Sequence, residues 1–266
     1  MNLVPLALYA AAFIGYALHF ARRTPVSARL ATTTLAAATL AHTFIIGMQT
    51  MEVGQVPVFG MASAVSMFVW LLAVAYLYME VTTDERAMGV FILPLIIALQ
   101  AIPAFSAAST IRPAVLRGPL FGIHVSSLLF AYASFALACV IGITYVLLFK
   151  EIKTKHLGVF YARLPSLQVL DQMNQRAIIV GWVFLTVGLV AGVVFAIEAH
   201  VPSMLSLEDP KIFVALISWV VYSFELFAAR RIGWAGRRAA YLSALGFAIV
   251  LLNFVPISYL TSNHKF

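Results

Sequence analysis

The chain is predicted to be an all-α, polytopic membrane helix bundle of about eight transmembrane helices, with both termini outside. Three observations carry that prediction. Of its 266 residues, 63% are apolar and only 10% charged, where soluble domains sit near half apolar and a quarter charged. Eight apolar runs are long enough to cross a ~30 Å hydrocarbon core as helices. The basic residues are segregated as well: thirteen of the 17 Lys and Arg fall in alternate connections. No sizeable region remains for a soluble part, so residues 1–266 read as a single transmembrane domain.

The first span, 3–21, is preceded only by Met1-Asn2 and followed by Arg22-Arg23, so no cleavable signal peptide is expected. Spans two and three, 30–48 and 62–80, flank an outer loop at 49–61. Arg86 then precedes span four, 89–107. Span five, 123–149, opens on His124 and ends in the basic stretch Lys150, Lys153 and Lys155. The inner loop 150–176 contains Leu164-Pro165-Ser166, then apolar residues at Leu167, Leu170 and Met173. That pattern predicts a short amphipathic surface helix with Ser166 as its N-cap. Spans six to eight follow at 177–199, 211–229 and 239–260. Arg230, Arg231, Arg237 and Arg238 lie between the last two. The positive-inside rule puts the arginine-rich connections in the cytoplasm and the protein in the cell membrane as a multi-pass protein. The net charge of +7 is therefore topology and not a nucleic-acid footprint.

Cys139 is the sole cysteine and sits mid-span, which excludes an intramolecular disulfide, a CxxC motif and a cysteine metal site. Histidine is the informative residue. His124 and His264 stand at the outward ends of spans five and eight. Two neutral imidazoles at one membrane surface have the chemistry to hold a haem iron from both sides, although each also reads as an interfacial polar residue. His42, about 18 Å up span two, is either a hydrogen-bonded packing histidine or a residue facing a cavity or partner. His19 reads as interfacial and His156 as solvated.

Other polar groups have plainer readings. Asp209 and Pro210 suit a helix N-cap and first turn. Glu198 and His200 are a candidate metal pair that nothing fixes together, and no HExxH motif or nucleophile beside a base supports a hydrolase. Gln100, Asn253 and Glu225 read as helix-bridging residues, with Arg230 or Arg231 as the expected partner of Glu225. Phe59, Phe121, Tyr259 and Phe266 mark the outer interface, where anchoring and haem packing explain aromatic residues equally well.

From His124 onward the chain resembles the cytochrome c assembly integral membrane proteins, the group containing CcsA, CcmC and the shorter HemX-like members. HVSSLLFAYASFALA (124–138) looks like that family's histidine-led helix. LPSLQVLDQMNQRAIIVGWVFLTVGLVAGVVFA (164–196) is similar to its inner-loop-plus-helix signature. DPKIFVALISWVVY (209–222), GWAGRRAAYLSALGF (233–247) and SNHKF follow in family order. The match is stronger over 123–266 and fainter over 1–107, where it rests on residues 40–80.

The resemblance implies a role in cytochrome c biogenesis, with haem b bound or presented at the outer face between His124 and His264. His42 matches a membrane histidine of the long members. The family's tryptophan-rich WSWDPKETW-like loop appears here as LSLEDPKIF, which keeps Asp209-Pro210-Lys211 and none of the tryptophans; Trp219 stays in register deeper in span seven. That departure places the chain nearest the HemX-like branch. It also keeps open a regulatory or scaffolding role in haem metabolism without stoichiometric haem. The partners implied are haem, an assembly partner protein or a cytoplasmic haem-synthesis enzyme, and the bilayer. The protein is expected to be an accessory to haem attachment and not an enzyme on its own. A solute transporter, a third reading, has little support, for there is no inverted repeat, broken-helix pair or charged midplane cluster.

Overall fold

The computed structural model describes residues 3–106, 118–198 and 210–254, with no strand among them. The helices are α1 (Leu3–Arg22), α2 (Pro25–Val53), α3 (Met61–Thr83), α4 (Gly89–Phe105), α5 (Pro119–Thr154), α6 (Val159–Arg163), α7 (Leu167–Glu198), α8 (Pro210–Phe227) and α9 (Arg237–Phe254). A π-helical turn, Ala228–Ile232, continues α8. Six of the helical segments are long and apolar enough to cross a membrane, while Gly89–Phe105 is a shorter apolar helix of 17 residues. The first seven expected spans fall on α1 to α5, α7 and α8, while the eighth, expected at 239–260, is described only as far as Phe254, in α9. The protein is a multi-pass membrane helix bundle.

Local chemistry sets the boundaries. The turn from α1 to α2 is two residues long; Thr24 caps α2 by accepting from the Ser27 backbone N–H at 3.2 Å, and Pro25 follows it. Gly54, at φ 76°, ends α2 in a left-handed cap. Asp84 and Lys155 end α3 and α5 the same way.

The expected surface helix within 150–176 is corrected by the structure. Leu167, Leu170 and Met173 belong to the first turns of the long α7, and the last two are fully buried. A periodicity that suits a membrane surface suits core packing equally well. Ser166 does cap the helix, its hydroxyl lying 3.4 Å from the Val169 N–H.

Helices α5 and α7 form the most extensive pairing, flanked by α9 and α3, while α1, α2 and α4 form a second group. Glycine explains the closeness of α5 and α7. A Cβ on Gly181 would lie 2.4 Å from the Phe135 ring, one on Gly188 2.7 Å from Leu128 Cδ2, and one on Gly192 2.6 Å from the His124 ring. The three pairs of residue numbers share one sum, so the contacts lie along a single antiparallel register. Lipid tails are as apolar as the helices, so close van der Waals packing at small residues replaces the hydrophobic drive.

The arginine-rich connections gather at one end. Arg23 donates to the Arg163 carbonyl at 2.5 Å, Arg176 to the Thr82 carbonyl at 3.3 Å, and the Gly236 N–H to the Asp171 carboxylate at 2.7 Å. Just inside this end, Glu80 is buried on α3 and accepts from Tyr16 and Thr32, with Arg86 Nε 3.8 Å away.

Candidate functional site

His124 lies in the first turns of α5, at the end of the bundle opposite the arginines. Its Nδ1 sits 2.7 Å from the Gly188 carbonyl oxygen of α7. A carbonyl only accepts, so Nδ1 carries a proton, and in the neutral imidazole this puts the lone pair on Nε2. This is the arrangement by which a backbone carbonyl orients a metal-ligating imidazole. The ring is half-buried and lies against Gly192, where no side chain obstructs it. Phe121, one turn earlier, packs beside it at 6.5 Å and joins Phe59 at 5.3 Å and Phe195 at 5.5 Å in an aromatic cluster.

A cavity of about 860 Å³ opens next to this site, between the end of α2 and the start of α5. Thr50, Gln55, Gly122, Ser126 and Ser127 are among its lining residues. His124 is not, for it projects from a different face of α5, toward α7. His264 and His200 lie outside the described residues, as do Asp209, Tyr259 and Phe266.

His42 occupies a different setting. It is fully buried on α2, with Nδ1 3.1 Å from the Tyr9 hydroxyl of α1 and Nε2 3.0 Å from the Ser66 hydroxyl of α3. Both ring nitrogens are thus engaged, and the ring ties three helices together. An iron at either nitrogen would have to displace a hydroxyl. His19 bonds Ser27 at 3.2 Å near the basic end, and His156 is exposed.

The retained Trp219 donates its indole N–H to Thr186 at 3.0 Å and stacks on Trp182 at 6.2 Å, which in turn donates to Ser223 at 2.7 Å. Both rings therefore hold α8 against α7. Glu225 does not pair with Arg230 or Arg231. It lies 2.7 Å from the Ser243 hydroxyl of α9, which also lies 3.1 Å from Asn174 Oδ1 of α7. Asn174 was not foreseen, because a lone amide in a polar inner segment carries no sequence signal. No cluster of three or more His, Cys, Asp or Glu suited to a metal ion is present among the described residues.

The family model described as "Cytochrome C assembly protein" matches residues 1–263. Among similar proteins, the cytochrome c biogenesis protein CcsA of Guillardia theta is 27% identical over 238 residues, covering 82% of this chain and 78% of the relative. The protein of that name from Heterosigma akashiwo is 28% identical over 226 residues, covering 71% and 70%. That of Synechococcus elongatus is 25% identical over 277 residues, covering 87% and 85%. The matched region takes in both helix groups and the His124 and His42 settings, and on that ground the chain belongs to the cytochrome c assembly protein family.

Proposed function

We propose that the protein binds or presents haem b at the outer face of the membrane during cytochrome c biogenesis, with His124 and His264 as axial ligands. The observation that carries this reading is the state of His124. Its Nδ1 proton is committed to the Gly188 carbonyl, so Nε2 is a preoriented donor to iron. The Phe121, Phe59 and Phe195 rings supply apolar surface of the kind a macrocycle packs against. Haem enters here as cargo, and a partner protein carries out any covalent attachment. His42 serves as a transit ligand only by giving up its bond to Tyr9 or to Ser66.

The test is an absorption spectrum of the detergent-purified protein, oxidised and reduced, beside His124→Ala and His264→Ala. A reduced b-type spectrum in the wild type, lost or weakened in both variants, is expected. Equal haem content in all three proteins would remove both ligand assignments.

The missing tryptophans of residues 205–213 favour a second reading, the HemX-like one. On it the protein regulates or scaffolds haem metabolism without stoichiometric haem, and the basic segment 150–176 contacts a cytoplasmic haem-synthesis enzyme. A wild type still empty after haem is supplied, with partner capture that depends on residues 150–176, would select it.

A further inference from the structure

A polar pocket of about 330 Å³ lies at the arginine-rich end, far from the His124 site. His19 and Phe20 reach it from α1, Arg23 from the α1–α2 turn, Arg163 from the end of α6, Pro165 from the α6–α7 turn, and Glu85 from the loop after α3. The Arg23 guanidinium reaches across to the Arg163 carbonyl at 2.5 Å, tying the two sides of the rim together. The half-buried Arg163 side chain has no ion-pair partner among the described residues, whose ion pairs join Arg86 to Glu80 and to Asp84. His19 lies 3.2 Å from the Ser27 hydroxyl and is also hydrogen-bonded to the Thr24 backbone.

The sole carboxylate in the lining is Glu85. Burial pushes its carboxyl above the usual range and the neighbouring Asp84 adds to this, while Arg23 and Arg86 oppose it. The pocket thus collects two arginines against one carboxyl. Guanidinium forks match phosphate oxygens in geometry as well as charge. Basic pockets between helix ends at a membrane surface lie at headgroup depth.

We propose that this pocket is a binding site for the phosphate of an anionic phospholipid, held between Arg23 and Arg163 with His19 as a further polar contact. The site fastens the α1–α2 turn to the end of α6 through the lipid headgroup, and it is independent of the haem reading. The ordinary explanation of these arginines is topological attraction to the membrane surface. That explanation predicts equal roles for exposed arginines outside the pocket, such as Arg29.

The experiment is native mass spectrometry of the full-length, delipidated protein titrated with phosphatidylglycerol or phosphatidylcholine. Wild type is expected to retain phosphatidylglycerol in preference. Arg163→Gln should weaken retention about 10-fold, the scale of one charged hydrogen bond. Arg29→Gln should leave it unchanged, and Glu85→Gln should strengthen it by removing the opposing carboxyl. Equal retention by wild type and Arg163→Gln, or no preference between the two lipids, overturns the proposal. Loss of the lipid adduct on adding millimolar inorganic phosphate would assign the pocket to the free anion and overturn the lipid assignment. Should Arg163→Gln fail to accumulate, Glu85→Gln decides: unchanged retention there counts against the site.

Discussion

His124 and Gly192 occupy the same space: a Cβ on Gly192 would stand 2.6 Å from both Cε1 and Nδ1 of the imidazole. In an α-helix the Gly188 carbonyl points toward residue 192. The imidazole reaches that carbonyl only by lying where a side chain at 192 would begin. Gly192 is therefore a positioning residue for His124, although it makes no polar contact with it.

Gly192→Ala should accordingly disturb His124 without altering it. The added methyl forces the ring off the α7 backbone and breaks the 2.7 Å bond to Gly188. Loss of such an orienting bond typically lowers metal affinity by about 10–100-fold. The check is haem retained after size-exclusion chromatography, read beside the thermal midpoint. Retention equal to wild type would show that ring orientation is irrelevant to haem binding.

His42 makes a different prediction, because its two roles separate by variant. His42→Ala deletes a buried ring and takes a hydrogen-bond partner from both the Tyr9 and Ser66 hydroxyls, which should cost about 2–4 kcal/mol. His42→Gln keeps a polar group that can reach one hydroxyl and should cost about 1 kcal/mol. If His42 is only a packing residue, the Gln variant carries wild-type haem. A Gln variant with near-normal thermal stability but depleted haem would support transit through this position.

The legibility of the sequence follows from which interactions are local. Span positions depend on hydropathy, a property of contiguous residues, so they were readable, and within the described residues they fall on helices. His124 was readable as an outward-end residue, but its tautomer was not, because that depends on the carbonyl of Gly188 on another helix. The spacing of Gly181, Gly188 and Gly192, seven and then four residues, was the available signal for the α5–α7 seam. It marks one helix face, yet only the partner's Phe135, Leu128 and His124 show what fills it. The inner segment 164–176 misled because a surface stripe and a core stripe share one period. Glu225 misled for a related reason: proximity in sequence favoured Arg230 and Arg231, whereas the fold supplied Ser243 from the next helix.

The Glu225 setting yields a last prediction, from counting donors. The Ser243 hydroxyl has one proton but faces three acceptors, at Glu225 Oε1, Asn174 Oδ1 and the Ala239 carbonyl. Asn174 cannot help, since its amide donates to the Ala138 carbonyl at 2.8 Å and so presents its oxygen to Ser243. Glu225 Oε2 has no hydrogen-bond partner among the described residues. With the Glu225 carboxyl ionised, the cluster is therefore short of donors. Ser243→Ala removes one more and should cost about 1–3 kcal/mol. Glu225→Gln supplies an amide N–H₂ in place of a carboxyl oxygen at nearly constant shape and should leave stability unchanged or raised. Thermal unfolding of the two variants in one detergent compares them directly. A Gln variant as unstable as Ser243→Ala would mean that the carboxylate charge, and not the supply of donors, is what this buried junction requires.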